Sequence, residues 1–243
     1  MSNLLTNGDF TGSTYQFVEW GHTVNEVQLP TGWDLFSYDG GADFHRPETK
    51  VQPAHTEELT GATWKVFTTY SRHHYSLGQR VAVAVGTELK LTAWVYPWSS
   101  SKDEFGESVG GSYRTRVGID AAGLNEPDSP YIVWSHEEPG LKAMDRLVEH
   151  TVVVTAVTPM VTVWLQGDCE WPVKHNNAFW DGAHLEALDT PEPPPGECAC
   201  AELAARVAVI ESVVKELCFV GADTAEMWSE WLDRLGRMIG PRE

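Results

Sequence analysis

Basic residues are scarce in this chain. It contains 17 Lys and Arg against 35 Asp and Glu, which gives a formal net charge of −18 at pH 7. Nucleic-acid phosphates and anionic membrane surfaces are bound by basic patches, so this charge argues against both kinds of partner. It is more typical of a soluble surface protein, or of one that binds neutral ligands or cations.

Long hydrophobic runs are also missing. No run approaches the roughly 20 apolar residues that a membrane-spanning helix requires. Residues 1–8 have neither a basic start nor an apolar centre, so we expect no secretory signal there.

Cysteine is rare, and its four positions are Cys169, Cys198, Cys200 and Cys218. This is not the dense spacing of a disulfide-stabilised domain. The last three could ligate a metal or cross-link chains. The alternative is that they are reduced thiols at the start and on one face of a helix.

The common catalytic motifs are absent from the sequence. It contains no nucleophile elbow, zinc-protease helix, phosphate-binding loop or dinucleotide fingerprint. A glycosidase needs two carboxylates across a cleft, whereas the acid pairs 57–58, 103–104 and 137–138 each lie in a polar loop. We therefore predict that the protein is not an enzyme.

Short β-branched and aromatic runs, many alternating with period two, fill residues 1–188 and predict strands. Two of them, 114–119 and 131–134, are joined by a turn-rich insert. We expect this pair to lie in the middle of a β-sandwich, with its polar face as the functional surface. Runs 75–85 and 88–98 flank a Gly turn and predict a hairpin, while residues 36–62 are polar and predict loops. The remaining predicted strands are 14–20, 64–70, 147–157, 160–166 and 178–186.

Several segments occur in an order typical of one family. They read NLLTNGDF near the start, PTGW at 30–33, LGQRVAVAVGTELKLTAWV, RVGID, SPYIVWS and HNNAFWDGAHLEAL. Together they resemble the jelly-roll carbohydrate-binding modules of the galactose-binding-like superfamily. The resemblance covers nearly all of residues 3–188 and implies a mainly β, jelly-roll β-sandwich domain over 1–189.

The resemblance also implies a structural calcium between the N-terminal and closing strands. The matching positions are Asp9 and Asp181, whose carboxylates, helped by backbone carbonyls, would supply hard oxygen ligands. Thr11 stands near a position where the family often has an acid. The alternative is that both aspartates form turn hydrogen bonds.

One set of side chains suggests a sugar-binding face. If Leu89, Leu91, Ala93 and Val95 face the core, the alternate positions of the same run point outward, and so do polar positions on neighbouring runs. Aromatic rings can stack on a sugar, while Arg and Gln can bind its hydroxyl groups. The alternative is that these side chains are core, or are covered by loops or by a second subunit. The predicted ligand-binding residues are Trp94, Tyr96, Trp98, Arg114, Arg116, Trp164 and Gln166.

The chain changes character after residue 189. Residues 190–197 form a Pro-rich spacer. Residues 198–243 have the composition of two short helices, the first with an apolar heptad seam that predicts self-association, as a trimer rather than a dimer. The alternative is that this helical hairpin folds back on the sandwich. The seam residues are Leu203, Val207, Ile210, Val214 and Leu217.

Two functions fit these features. The first is a non-catalytic virion-surface protein that decorates a phage capsid or tail and is oligomerised by its C-terminal helices, with a capsid or tail protein as partner. The second is an extracellular glycan-binding protein or adhesin that gains avidity from several copies. We rank the virion-surface role slightly ahead.

Overall fold

Every element in the described part of the chain is a β-strand. The computed structural model describes residues 2–20, 23–38, 44–53, 59, 61–136 and 144–188, and for residues 14–20 and 23–26 it describes the backbone only. All of them belong to one compact unit, Met1–Thr190. No helix in this described part is long and apolar enough to cross a membrane.

Twelve strands form two sheets. Sheet A has seven strands in the order β1-β2-β4-β5-β12-β7-β10, and sheet B has five in the order β3-β6-β11-β8-β9. The strands are β1 Ser13–Trp20, β2 Thr23–Pro30, β3 Asp34–Ser37, β4 Glu48–Pro53, β5 Ala62–Thr68, β6 His74–Ala82, β7 Glu88–Ser100, β8 Tyr113–Asp120, β9 Ile132–Trp134, β10 Val148–Thr155, β11 Met160–Cys169 and β12 His175–Ala187.

Side-chain alternation explains why these segments form half-buried strands. β10 is the clearest case, because its residues are alternately buried and exposed along its whole length. Its buried positions Val148, Val152 and Val154 join the core, whereas Val153 is 46% exposed.

The core lies between the two sheets and draws on both. Trp64 and Trp180 from sheet A pack in the same buried cluster as Tyr75 and Leu165 from sheet B. The Trp180 Nε1–H donates to the Tyr75 hydroxyl at 2.6 Å, so the largest side chains are also joined across the core. The predicted β-sandwich is therefore confirmed.

The N-terminal segment is attached to the closing strand through Asn3. Its Oδ1 accepts hydrogen bonds from the backbone N–H groups of Leu5 and Leu185, at 3.1 and 2.9 Å, and its Nδ2 donates to the Ala183 carbonyl at 2.9 Å. The two ends of the sandwich sequence are thus held side by side.

The predicted hairpin 75–98 is wrong. β6 pairs with β3 and β11 in sheet B, whereas β7 pairs with β10 and β12 in sheet A. Both strands turn alternate side chains toward the same core, and the short connection containing Gly86, at φ 84°, carries the chain from one sheet to the other.

Two further expectations need correction. Residues 114–119 and 131–134 do pair, as β8 and β9, but β9 is the edge strand of sheet B rather than a central strand. Residues 36–62, predicted as loops, contain β4, which pairs antiparallel with β5. β4 has a polar sequence because only Thr49 among its six residues is buried.

The predicted linker and helices lie outside the described residues, and so does the heptad seam Leu203, Val207, Ile210, Val214 and Leu217. The boundary at 189, the helical hairpin and the oligomeric state therefore stay predictions.

Candidate functional site

The predicted ligand-binding residues are divided between two faces. Those on β7 belong to sheet A, whereas those on β8 and β11 belong to sheet B. Because both sheets turn their inner faces to one core, their outer faces point in opposite directions. The prediction of a common ligand face is therefore wrong. The sheet A group is Trp94, Tyr96 and Trp98, and the sheet B group is Arg114, Arg116, Trp164 and Gln166.

The sheet A group is largely covered. Tyr96 and Trp98 are only 5% and 7% exposed, and the ring of Phe105, from the loop after β7, lies over them. Trp94 is half-buried and packs next to Gly182 in the bulge of β12. For Tyr96 and Trp98 the alternative of a loop-covered face is the one observed.

The sheet B group contributes to an open cleft with a volume of about 160 Å³. Strand register explains why its side chains converge. Arg114 lies opposite Asp168, which lies opposite His74, and Arg116 lies opposite Gln166 in the next row of the same face. The cleft is lined by His74, Arg114, Thr115, Arg116, Gln166, Gly167 and Asp168.

Hydrogen bonds hold these side chains in fixed orientations. Arg116 Nε donates to Gln166 Oε1 at 2.6 Å, and Gln166 Nε2 donates to the Ser76 hydroxyl at 3.0 Å. The guanidinium of Arg114 forms an ion pair with Asp168. A ligand would therefore meet donors and acceptors that are already positioned, which reduces the entropy cost of binding.

Aromatic rings flank the polar row. The Arg116 guanidinium lies 4.1 Å from the ring centroid of Trp134, and Tyr38 stacks on His74 with centroids 4.1 Å apart. The cleft thus combines charged and amide groups with two aromatic neighbours, one at each side of the sheet.

His74 is the unusual group in the cleft. Burial lowers the pKa of its imidazole, and the nearby Arg116 and Arg114 act in the same direction against an opposing effect of Asp168. A hydrogen bond with the Gln166 side chain acts in the opposite direction, and the net effect lowers the pKa of His74. Burial also disfavours the charged form of Tyr38, which raises the pKa of its phenol.

Trp164 does not contribute a binding ring. It is fully buried between Gly78 and Gly118 on the neighbouring strands, and Phe36 packs edge-on against it at 5.3 Å. Its role in the described structure is to fill the outer face of sheet B.

Sequence reasoning missed four residues of this region, namely Tyr38, His74, Trp134 and Asp168. Asp168 continues the period-two series of Trp164 and Gln166, so extending that run would have found it. The other three are brought in by strand pairing that alternation alone does not reveal.

The predicted calcium ligands do not form an acidic cluster. Asp9 Oδ1 accepts hydrogen bonds from the backbone and hydroxyl of Thr11, at 3.3 and 3.1 Å, which matches the turn alternative for this residue. Asp181 lies on β12 opposite Trp94. No group of three or more His, Cys, Asp or Glu side chains suited to a metal occurs among the described residues. The calcium site therefore stays a prediction.

Comparisons with known proteins give structural similarity only. No protein-family model and no curated protein matches the chain. Among solved structures, it is similar to a family 61 carbohydrate-binding module in complex with β-1,4-galactotriose, at 13% identity and a TM-score of 0.48, over 77% of this chain and 100% of that one. It is also similar to a family 4 carbohydrate-binding module, at 10% identity and a TM-score of 0.38, over 75% and 99% of the two chains.

A third similar structure is the enzymatically active domain of tailspike protein 4 from bacteriophage CBA120, at 9% identity and a TM-score of 0.44, over 65% of this chain and 20% of that one. Two of these three structures are carbohydrate-binding modules, the group that the sequence motifs resemble. The resemblance is confirmed as one of fold, and no ligand or site is carried over from it.

Proposed function

We propose that the protein binds carbohydrate, without cleaving it, in the cleft on the outer face of sheet B. The observation that carries this proposal is the pre-oriented row of Arg114, Arg116, Gln166 and Asp168 across two paired strands. The carbohydrate-binding modules among the similar structures agree with this ligand class.

The chemistry of the cleft suits a sugar. Guanidinium and amide N–H groups donate to sugar oxygens, and the carboxylate of Asp168 accepts from hydroxyl groups. The Arg116 guanidinium lies over the Trp134 ring, which holds it in position at the edge of the cleft.

Binding without hydrolysis follows from the acid content of the cleft. Asp168 is the only carboxylic acid among the described residues that line it. Glycoside hydrolysis generally uses two carboxylates on either side of the bond that is cleaved. The Asp168 carboxylate also forms an ion pair with Arg114.

A glycan array followed by calorimetric titration tests this proposal. Replacing Arg116 with Ala removes the guanidinium that contacts both Gln166 and Trp134, so we expect affinity for the selected glycan to fall by about tenfold or more. Arg80→Ala is the matched control, because Arg80 is an exposed arginine of β6 that does not line the cleft. No binding to any glycan on the array, or equal affinity in Arg116→Ala and the wild type, would contradict the proposal.

The finer role that we propose is display of this cleft on a virion surface, or on an extracellular adhesin, in several copies joined by residues 198–243. The heptad seam supports the multivalent part of this role. Co-purification of the protein with assembled phage particles tests the virion-surface role, and its absence from purified particles would favour the adhesin.

A further inference from the structure

An aromatic cluster lies on the outer face of sheet A, on the side of the sandwich away from the cleft. Tyr96, Trp98 and Phe179 are buried there together with Leu59, separately from the core between the sheets. Large rings on the outer face of a sheet are shielded from solvent only where another segment packs over them. Here one aromatic side chain from the loop after β7 packs over the cluster.

That ring is Phe105. It stacks on Tyr96 with centroids 5.6 Å apart and an interplanar angle of 17°. It also contacts Trp98 and Phe179 edge-on, with centroids 5.0 and 5.7 Å apart. Phe105 thus occupies the position that a flat ligand ring would take on an aromatic platform, although 36% of its own surface is exposed.

The loop that carries Phe105 is held on both sides of that residue. After Phe105, residues 107–109 form hydrogen bonds with Ser99, Ser100 and Ser101, and Ser108 donates to the Asp145 carboxylate through its backbone N–H and its hydroxyl, at 2.7 and 2.8 Å. Before Phe105, the contacts are made at the surface. Asp103, whose side chain is 69% exposed, bonds Lys174 Nζ and His175 Nε2, each at 2.7 Å. Exposed ion pairs of this kind contribute little stability. Gly106 and Gly110, at φ 82° and 72°, adopt the left-handed backbone conformation that favours glycine. Phe105 itself lies between these attachment points and outside every strand, so its side chain can move aside without disrupting a strand.

Two buried donors beneath this loop lack acceptors. Trp98 Nε1 and Asn177 Nδ2 have no hydrogen-bond partner in the described structure. Trp98 and Asn177 lie directly opposite each other where β7 pairs with β12, so both side chains belong to the same outer face. Leaving buried donors unpaired is costly, and such groups in a native protein usually serve a ligand or a water molecule.

The rim of the cluster adds polar groups. His175 stacks on Trp98 with centroids 4.7 Å apart, and Lys65 Nζ lies 5.4 Å from the ring centroid of Phe179. Aromatic faces surrounded by a few N–H donors are the composition of a small-molecule site for a ring that bears oxygen atoms.

We propose that this face is a second ligand site, in which a pyranose ring displaces Phe105 from Tyr96 and its oxygen atoms accept hydrogen bonds from Trp98 Nε1 and Asn177 Nδ2. Phe105 occupies the site when no sugar is bound. The site shares no residue with the cleft on sheet B, so the two can succeed or fail independently.

Replacing Phe105 with Ala should expose the site. The probes are the methyl β-pyranosides of galactose, glucose and xylose, added to the full chain carrying Arg116→Ala so that cleft binding is weakened. The readout is the indole N–H signal of Trp98 in ¹H–¹⁵N spectra, assigned with a Trp98→Phe variant. We expect at least one probe to shift this signal. Its affinity should be about tenfold higher in the Arg116→Ala, Phe105→Ala double variant than in Arg116→Ala alone, because the sugar no longer has to displace the Phe105 ring.

Two further variants complete the test. Val109→Ala changes an exposed residue of the same loop and should leave probe affinity unchanged. Asp103→Ala releases the loop from Lys174 and His175 and should raise affinity in the same direction as Phe105→Ala. If the near-ultraviolet circular dichroism shows folded protein and no probe shifts the Trp98 signal in either opened variant, the second site is excluded. Glycan binding that depends on Arg116 would still support the cleft in that case.

Discussion

At the residue scale, a buried polar group in the core is kept neutral by its surroundings. His73 is fully buried, its Nδ1 lies 2.8 Å from the Thr68 hydroxyl, and its Nε2 lies 2.5 Å from the Tyr113 hydroxyl. Burial lowers the pKa of this imidazole to about 3, with a smaller contribution from His74. Nearby, burial raises the pKa of the Cys169 thiol to about 12, so this cysteine stays protonated and unreactive at neutral pH.

The low pKa of His73 predicts acid sensitivity. Because the pKa is near 6.5 in the unfolded chain and about 3 in the folded one, the unfolded state binds the proton first as the pH falls. The unfolding free energy is therefore highest above pH 6.5 and falls as the pH is lowered toward 3. The fall amounts to roughly 2 kcal/mol between pH 7 and pH 5. We expect His73→Gln to flatten this pH dependence of the unfolding free energy, as measured by urea denaturation.

The exposed His136 provides the control for this measurement, and His136→Gln should keep the wild-type dependence. His74, whose pKa is also lowered, contributes in the same direction in all three proteins. If the unfolding free energy of His73→Gln depends on pH as strongly as that of the wild type, His73 is not the group responsible.

At the element scale, glycine alternates with tryptophan across one row of sheet B, and each glycine leaves room for a neighbouring indole ring. Gly78, Trp164, Gly118 and Trp134 lie side by side on β6, β11, β8 and β9. The Trp164 ring fills the space over Gly78, where an added Cβ would lie 2.5 Å from its Cζ3 atom. This packing places Gln166 and Arg116 one row further along the same face, at the cleft.

Gly78→Ala should therefore displace the Trp164 ring. We expect the protein to lose roughly 1–3 kcal/mol of unfolding free energy, as for other overpacked sites. Thermal or urea unfolding measures the loss. Gly12→Ala is the control, because its Cβ would meet its neighbours at 3.5 Å or more, and its stability should stay close to that of the wild type. Equal stability of the two variants would refute the packing argument.

At the scale of the whole molecule, alternation predicts which segments are strands but not which sheet they join. β10 and β12 were predicted well because the residues that each contributes to the core between the sheets recur along the strand, in β12 with a bulge at 181–184. β6 and β7 alternate in the same way, and their assignment to different sheets depends on long-range pairing that no local pattern contains. For the same reason Trp94, Tyr96 and Trp98 were placed with Arg114, Arg116 and Gln166, although they lie on the opposite sheet.

Self-association through residues 198–243 can be tested in the full chain. Sedimentation equilibrium should give a mass of roughly three times the 27.0 kDa chain, because the heptad seam predicts a trimer. Ile210→Glu places a charge in the seam and should give monomers. Ser212→Glu adds the same charge off the seam and should leave the oligomer intact. A monomeric wild type would exclude the oligomer and favour a tail folded back on its own sandwich.

The location of a bound glycan tests the central claim most directly. The measurement is a crystal structure of the full chain with the tightest ligand from the array. Our account predicts that the sugar occupies the outer face of sheet B, in contact with Arg116 and Gln166 and beside Trp134. A sugar bound only elsewhere on the protein, with the cleft containing none, would contradict it.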